Sequence, residues 1–491
     1  MVFSHPSVRR RLGVLPTAIV FLVAAIEFPL PALVHAQAAR NNANNANNAN
    51  NGNNNTNNNT GTTTGTGFFP IGYQQAVGGI SIKSDGLIEN AGVDTLGRLR
   101  AERARLIKKT PADVDAAAAL RKVSLSGMEE AIEQSLKSGK PFPEEVVFLA
   151  GLQDIRYVFV YPEQRDIVLV GFGEGWRIDH RGNVVGATTG KPVLLLDDLL
   201  TALRTAATSA RAGISCSIDP TPEGIQELRA HAATLTTMNN KKAIASGLEK
   251  ALGRQRVTFS GVPATSHFAG VLVAADYRMK RLAMNFESSP VQGMPSFLRM
   301  YTATGVGMDN MLQRWWLEPK YESVLRSPDG LAWEFDGASA KCMTEEDFAT
   351  ANGQREHAGK PSDLAQKWAD NMTRHYDQLA VADPVFGDLR NCMQLALVGA
   401  LVAHERLADK AGCDLPALMQ ESTLKTLELP APTQVESRVS MVKQGQNWII
   451  SASGGVNIRP GEIVGQARQS SAPAEARSKA QVAGKSNWYW N

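Results

Sequence analysis

The feature that most constrains this chain of 491 residues is a low-complexity tract from Asn41 to Gly67. It begins with a repeated Asn-Asn-Ala triplet and passes into Asn/Thr and then Gly/Thr. Such residues bury little apolar surface, so the entropy lost on ordering the backbone is not offset, and we expect a flexible tether. Stacking into amide ladders, with self-association, is the alternative. Any folded core must lie after this tract.

The first 36 residues have the organisation of an export signal. Arg9, Arg10 and Arg11 precede an apolar run from Leu12 to Ile26, and the small residues before Gln37 place cleavage after Ala36. The apolar run is shorter than the roughly 20 residues that a membrane-spanning helix needs, although an uncleaved anchor is the alternative. The sequence therefore predicts an exported protein of the periplasm or the cell surface, with no stable transmembrane span after signal cleavage.

The charge of the chain is almost balanced. It contains 51 Lys and Arg residues against 48 Asp and Glu residues. Removal of the three signal arginines and Glu27 leaves 48 against 47, a net charge of +1. A near-neutral protein has no general attraction for a polyanion, so no nucleic-acid partner is expected.

The organisation after the linker (37–67) predicts an α+β protein. Residues 68–122 contain a hairpin at Asp85-Gly86 and a basic helical segment at 94–109, and residues 123–461 form the globular core, which could comprise two subdomains. Strand-like runs at Val146–Ala150, Ile155–Tyr161 and Ile167–Gly171 are mixed with long helices without a regular β-α-β alternation. A mixed sheet, or several, packed with long helices is the expected fold.

A helix predicted from Phe386 to Ala411 is the most apolar part of the core. Its run from Cys392 to Ala403 is almost continuous and is interrupted by Gln394. The run is too short to cross a bilayer, so we expect a buried core helix.

The tail, residues 462–491, is rich in Ala, Ser, Gln and Lys and is expected to be disordered. It ends in Trp488-Tyr489-Trp490-Asn491. These aromatic residues could dock into a partner, add to a sheet edge or pack on their own domain.

No motif in the sequence assigns a catalytic mechanism. Gly171–Gly175 resembles a dinucleotide loop, but strand-like residues follow it where a helix should begin, and Gly186–Lys191 is one residue short of a phosphate loop. A Gly-x-Ser-x-Gly motif is absent, and His404-Glu405 lacks the second histidine of a helical zinc site. No cofactor and no metal are therefore predicted, and a protein that is not an enzyme is favoured.

Two segments are candidates for chemistry built from dispersed residues. Cys216 ends a strand just before a helix capped by Thr221, where helix amides could stabilise a thiolate, although a structural turn explains it as well. Asp276 begins the cluster Asp276–Arg281, which could bind an anion, and an Asp276–Lys280 salt bridge at i,i+4 is the simpler interpretation.

Two histidines have neighbours that suggest catalysis, in Ser266-His267 and Asp179-His180, and they would matter only if the fold added partners. Four cysteines remain after export, Cys216, Cys342, Cys392 and Cys413, and their pairing is left open between disulfides and buried thiols.

Three segments resemble an exported planctomycete family classed as a domain of unknown function. They are Cys216–Gly224 (CSIDPTPEG), Ala275–Lys280 (ADYRMK) and Pro384–Asn391 (PVFGDLRN). The resemblance would extend over roughly residues 123–461 and implies no activity and no catalytic residues.

We therefore expect an uncharacterised exported protein that acts in binding or is associated with the cell envelope, with an envelope component, a polysaccharide or a peptide as its partner. An exported hydrolase, with a site around Cys216 or Asp276, is the alternative. A polysaccharide- or peptide-binding module would need exposed aromatic residues, for which the candidates are Trp315, Trp316 and Trp333.

Overall fold

The computed structural model describes most of the chain after residue 109. The described residues are 80–83, 86–90, 110–179, 182–235, 240–304, 312–349, 355–357, 361–426, 428–440, 442–444, 447–449, 451–480 and 488–491. The predicted signal peptide, the Asn-rich linker and the basic helical segment at 94–109 lie outside these ranges. The predictions for those three segments therefore stay predictions.

The strands of the described residues are β1 (Ile80–Ile82), β2 (Leu87–Asn90), β3 (Ala118–Ser124), β4 (Tyr157–Tyr161), β5 (Asp166–Gly173), β6 (Trp176–Ile178), β7 (Val184–Gly186), β8 (Ile214–Asp219), β9 (Arg254–Ser260), β10 (Leu312–Lys320), β11 (Ser323–Arg326), β12 (Ala332–Asp336), β13 (Ser339–Ala349), β14 (Arg355–His357), β15 (Gln434–Glu436), β16 (Val442–Gln444), β17 (Asn447–Ile449), β18 (Ser451–Ile458), β19 (Arg468–Gln469) and β20 (Tyr489–Trp490).

The α-helices of the same residues are α1 (Ala112–Asp115), α2 (Leu125–Ser138), α3 (Glu144–Val147), α4 (Leu196–Ala212), α5 (Pro222–Ala233), α6 (Lys241–Leu252), α7 (His267–Ala283), α8 (Phe297–Thr304), α9 (Asp363–Ala382), α10 (Pro384–His404), α11 (Leu407–Ala411), α12 (Pro416–Met419), α13 (Pro460–Gly465) and α14 (Ala472–Lys479).

Most strands belong to two large mixed sheets. Among the described residues, the larger sheet has the order β1-β2-β15-β9-β8-β18-β10-β13-β14, and the smaller has the order β19-β11-β12-β4-β5-β3-β20. Antiparallel pairs predominate, while β10 with β18, β2 with β15 and β11 with β19 are parallel. Because the helices do not alternate with parallel strands, the fold is α+β, and the predicted fold class is confirmed.

Helix α10 lies in the centre of the core, as its apolar run predicts. It packs against α4, α7, α9 and α13. It is the one helix of the described residues that is long and apolar enough to span a membrane, and 94% of its most apolar window is buried inside the fold. Its polar residues, Arg390, Asn391 and Gln394, are buried with it.

The strand predicted at Val146–Ala150 is wrong. Glu144–Val147 is a helical turn, and it is followed by Leu149 and Ala150 with φ of 47° and 52°, which no strand can contain. The Arg121 guanidinium donates to the Ala150 carbonyl oxygen at 2.7 Å and so holds this turn. The apolar side chains are buried as a strand would bury them, which is why the pattern is misleading.

The disordered tail predicted for residues 462–491 is also wrong for the part that the structure describes. Residues 472–479 form α14, and Tyr489–Trp490 form β20 against β3. Tyr489 donates its hydroxyl to Asp113 Oδ2 at 2.6 Å. The polar composition does not indicate this order, because the segment is held by backbone pairing at a sheet edge and by a few aromatic contacts. The aromatic end therefore adds to a sheet edge of its own domain.

Candidate functional site

A polar cleft of about 460 Å³ is the candidate binding site of the described residues. We call polar cleft the cavity whose most buried wall consists of Ile155, Phe335, Arg390 and Gln394. The first two come from the smaller sheet and its edges, and the last two from α10. Its volume lies within the range of small-molecule sites.

Arg390 is the unusual member of this wall. Its side chain is buried, with 6% of the residue exposed, and it makes no hydrogen bond or ion pair to the residues that the structure describes. An arginine cannot lose its charge in a protein, and a buried charge without a partner is costly. The guanidinium lines the cleft, so an anion there could supply the missing partner.

Two phenols near Arg390 cannot neutralise it. Burial raises the pKa of Tyr321 and of Tyr376 well above the ordinary value, and the charge of Arg390 opposes this only in part. Both hydroxyls therefore stay protonated, and the Tyr376 hydroxyl donates to the Phe386 carbonyl oxygen at 2.8 Å. The positive charge of Arg390 remains uncompensated by either ring.

Gln394 lies one helical turn from Arg390 and adds a second free donor. Its Oε1 accepts the Ile155 amide at 2.8 Å, which fixes the orientation of the side chain because an N–H needs an oxygen as its acceptor. Its Nε2 is buried and has no partner among the described residues. Arg390 and Gln394 both line the cleft and both carry donors, a guanidinium and an enclosed amide NH₂.

The outer wall of the cleft carries charges of both signs. Three of the four acidic side chains are engaged: Asp154 accepts the Phe172 amide at 2.8 Å, Asp377 accepts the Ser339 hydroxyl at 2.8 Å, and Asp336 lies 3.9 Å from Arg156. Lys191 and Lys320 hold no ion pair in the described part of the chain, and the lining as a whole carries four acidic and four basic side chains. A hydrogen bond from a neutral donor leaves the charge of Asp154 and of Asp377 in place, so the preference for an anion depends on the unpaired Arg390.

The two glycine-rich loops of the sequence contact each other beside the cleft. The Glu174 carboxylate, within Gly171–Gly175, accepts the backbone amides of Thr188 and Thr189 at 3.2 and 2.9 Å and the Thr189 hydroxyl at 2.7 Å. Burial alone would raise the pKa of Glu174. These bonds and one from Gln153 outweigh that effect and lower the pKa to about 2. The loop that resembles a phosphate site therefore binds a carboxylate of the chain itself, and it holds Lys191 beside the cleft.

A second and smaller cavity, of about 30 Å³, lies elsewhere along α10 and has room for one or two water molecules. We call it the acid cavity, and Asp388 and His267 line it. His267 Nδ1 lies 3.0 and 3.1 Å from the two oxygens of Asp198, and both side chains are buried. Three helices converge here, because Asp198 begins α4, His267 begins α7 and Asp388 belongs to α10.

The groups of the acid cavity have shifted pKa values. Burial lowers the pKa of His267, but the charge and the hydrogen bond of Asp198, with the charges of Asp388 and Asp197, raise it to about 9. Burial and neighbouring carboxylates raise the pKa of Asp388 to about 7, although His267 opposes the shift. The His267–Asp198 pair is hydrogen-bonded as in a catalytic dyad. The cavity beside it is too small for an organic substrate.

The two histidine pairs of the sequence meet in part at this cavity. His267 gains Asp198, a partner that sequence adjacency could not indicate. Asp179 acts on Asp388 through its charge and accepts the Asn183 amide at 2.8 Å. His180 lies outside the described residues.

The residues of the proposed hydrolase site lie together but are buried. Lys280 Nζ donates to Asp276 Oδ2 at 2.9 Å, which confirms the i,i+4 pair, and to the Ile218 carbonyl oxygen at 2.8 Å. Burial raises the pKa of Asp276 to about 6 and the pKa of the Cys216 thiol well above its usual value. A protonated, enclosed thiol is a poor nucleophile, so this cluster has the features of a structural anchor between α7 and β8.

The four cysteines are free thiols in the structure. Cys216, Cys342 and Cys392 are buried, and Cys413 is partly buried. In the described part of the chain, no group of three or more His, Cys, Asp or Glu side chains has an arrangement that could hold a metal ion.

The tryptophans proposed for a binding module are mainly core residues. Trp315 and Trp333 have at most 1% of their surface exposed, and the Trp315 ring lies 4.7 Å from that of Trp368. Trp316 is partly buried, and its Nε1 donates to Glu318 at 2.7 Å. An exposed aromatic platform is not formed by these three residues.

Sequence reasoning missed Arg390 and Gln394 as site residues. Gln394 is the interruption in the apolar run of α10, and Arg390 is the cation within the segment Pro384–Asn391. Polar residues on a helix that is otherwise apolar all round are the signal that could have found them, because burial without a partner is costly.

Residues 216–297 match a family described as "Protein of unknown function (DUF1598)". Two of the three segments that carry the sequence resemblance, Cys216–Gly224 and Ala275–Lys280, lie inside this range, and Pro384–Asn391 lies outside it. No curated protein and no solved structure matches the chain. The part from β8 through α7 is therefore similar to a domain of unknown function, and that similarity assigns no activity.

Proposed function

We propose that the chain is an exported binding protein associated with the cell envelope, and that its polar cleft takes a carboxylate of an envelope polysaccharide or peptide. One observation carries the proposal: Arg390 is buried, charged and unpaired at the wall of the cleft. A planar guanidinium matches the geometry of a carboxylate and can bind it through two parallel bonds.

The acidic residues of the outer wall argue for a carboxylate rather than a phosphate dianion. The lining contains Asp154, Glu322, Asp336 and Asp377 against Arg156, Lys191, Lys320 and Arg390, so its formal charge is balanced. A singly charged ligand with further polar groups fits such a site, since a dianion would meet stronger repulsion from the carboxylates. Sugar acids and peptide C-termini share this chemistry.

Titration calorimetry with matched probes tests the proposal. D-glucuronate is compared with D-glucose, and N-acetylglycine with N-acetylglycinamide, so that each pair differs in its carboxylate. We expect the acid of at least one pair to bind and its neutral partner to bind at least tenfold more weakly. The pair that responds distinguishes a sugar source from a peptide source.

The matched control variant is Arg374→Met, because Arg374 is an exposed arginine of the neighbouring helix α9. Arg390→Met should weaken the acid about 10- to 100-fold, the loss of one or two charge-assisted hydrogen bonds, while Arg374→Met should leave it unchanged. Equal affinity for acid and neutral probe, or unchanged binding in Arg390→Met, would refute a carboxylate site in the cleft.

Association with the envelope has its own test. The purified chain is sedimented with isolated envelope, with and without residues 37–67. Binding that persists without these residues and disappears in Arg390→Met would support recognition through the cleft. Absence of sedimentation in every form would remove the envelope from the proposal and strengthen the hydrolase alternative.

The hydrolase alternative has one structural observation in its favour, the His267–Asp198 pair. Hydrolysis of p-nitrophenyl acetate, a generic ester, by the wild-type chain and by His267→Gln tests it. A rate above buffer that falls at least 100-fold in the variant would support an enzyme. Equal rates in the two proteins would remove this pair from catalysis.

A further inference from the structure

We infer that binding of a carboxylate in the polar cleft is coupled to protonation of the acid cavity, so that the cleft binds more tightly as the pH falls. The inference rests on the proposed function and adds a regulation to the same site. It depends on the position of both cavities along one helix and on the charges around Asp388.

Helix α10 lines both cavities with residues that are close in sequence. Asp388 lines the acid cavity, and Arg390 and Gln394 line the polar cleft. Successive helix residues are rotated by about 100°, so positions 388 and 390 point in nearly opposite directions, while 390 and 394 share a face. One turn of backbone therefore separates the two sites.

The segment that follows Lys191 runs along the same boundary. Lys191 lines the cleft, whereas Val193 and Leu195 line the acid cavity. Asn391 Nδ2 donates to the Pro192 carbonyl oxygen at 3.1 Å, and a Cβ at Gly387 would lie 2.7 Å from Pro192 Cδ, so this segment packs tightly on α10. Close packing leaves electrostatics, and not a movement, as the means of coupling.

The charged groups that face Asp388 come from several elements. They are His267 of α7, Asp198 of α4, Asp179 after β6 and Asp383 at the start of α10. Asp197 also acts on His267, and Asp383 is paired with Arg278 at 2.6 Å.

Asp388 itself makes no hydrogen bond to the residues that the structure describes. Burial raises its pKa to about 7, with the neighbouring carboxylates adding to the shift and His267 opposing it. The group thus exchanges its proton near neutral pH.

The sign of the coupling follows from Coulomb's law. An anion on Arg390 adds a negative charge on the opposite side of α10 from Asp388, beyond a helix whose diameter with side chains is about 10–12 Å. This charge disfavours the carboxylate form of Asp388 and raises its pKa. By reciprocity, protonation of Asp388 strengthens anion binding. At an effective dielectric constant of about 20, the affinity should fall about fourfold between pH 5.5 and pH 8.

The experiment measures calorimetric affinity for D-glucuronate and N-acetylglycine between pH 5.5 and pH 8. Both probes stay ionised over this range, and His267, with a pKa of about 9, stays largely charged. Cationic buffers (bis-tris, imidazole and Tris) do not compete for Arg390. Two of them with different ionisation enthalpies report the protons taken up. We expect weaker binding at high pH and net proton uptake near pH 7.

Asp388→Asn is the variant that isolates the coupling. It should bind at every pH about as tightly as the wild type does at pH 5.5, without proton uptake. A wild-type affinity that changes less than twofold, or a pH slope retained in Asp388→Asn, overturns the inference. If the variant does not fold, the proton uptake of the wild type decides by itself. Absence of binding at any pH refutes the proposed function instead, whereas binding without pH dependence refutes only the coupling.

Discussion

Two buried arginines of this protein have opposite surroundings. Arg121, on β3, has no exposed surface and donates to three carbonyl oxygens, those of Val114, Ala116 and Ala150, and to Asn491 Oδ1, at 2.6 to 3.0 Å. Arg390, on α10, is almost as deeply buried and has no such partner among the described residues.

Both guanidinium groups are buried, but only that of Arg121 has hydrogen-bond partners. The Arg121 guanidinium fills a socket made of backbone oxygens, so the fold depends on it. Burial of Arg390 has a similar desolvation cost that no hydrogen bond to the described residues offsets, and the residue lines a cleft. A residue that costs stability in place is a candidate for function.

The largest effect is expected at Arg121. Arg121→Met leaves the buried carbonyls of Val114 and Ala150 without this donor and should lower the free energy of unfolding by about 3–5 kcal/mol. Urea denaturation measures it, with Arg374→Met as the exposed control, which should change stability by less than about 0.5 kcal/mol. A loss below about 1 kcal/mol at Arg121 would remove the contrast.

Substitution of Arg390 is expected to cause no loss of unfolding free energy. Arg390→Met removes an unpaired buried charge, so the free energy of unfolding should stay unchanged or rise by up to about 2 kcal/mol, while the carboxylate probe is lost. The same denaturation series checks stability. A destabilisation comparable to that of Arg121→Met would mean that Arg390 is also a structural residue.

The effect of a third variant, Asp388→Asn, on the free energy of unfolding should depend on pH. The pKa of Asp388 is raised to about 7 in the folded state, from an ordinary value near 3.8. The folded state therefore holds this proton more tightly, and its contribution to stability is present below about pH 4 and is lost as the pH rises to 7. At pH 8, Asp388→Asn should stabilise the protein by about 1–3 kcal/mol, and at pH 4 it should have little effect. Thermal denaturation at both pH values tests this, and equal shifts would contradict it.

The smallest effect is expected at an arginine that is paired but exposed. Arg156 lies 3.1 Å from Glu334, and about half of its side chain is exposed. Because solvent screens such pairs, Arg156→Gln should cost no more than about 0.5 kcal/mol of unfolding free energy. A cost near that of Arg121→Met would show that pairing, and not burial, controls the difference between the arginines.

The sequence predicts the helices better than the site. The predicted cap of α5, Thr221, accepts the Gly224 amide at 3.0 Å in the structure, because capping is a local signal. The turn at 149–150 depends on Arg121, a residue nearly thirty positions earlier, and its apolar pattern resembles a strand. Local patterns cannot include a distant donor.

The site depends on such distant relations throughout. His267 meets Asp198 across 69 residues, and Gln394 meets Ile155 across 239. The Asp276–Lys280 pair is predictable because both residues lie on one helix. What could be read from the sequence about Arg390 is that a cation interrupts an apolar surface, but its lack of a partner is visible only in three dimensions.

The polarity of α10 would have a consequence for the passage of the chain through a membrane, if the chain is exported unfolded. An unfolded segment as apolar as Pro384–His404 tends to stop in the bilayer during translocation. Each charge within it raises the free energy of insertion, by about 2.5–3.5 kcal/mol at the centre of a span. For an exported protein, Asp388 and Arg390 would thus help the segment to pass through the membrane, and Arg390→Met would make retention there more favourable.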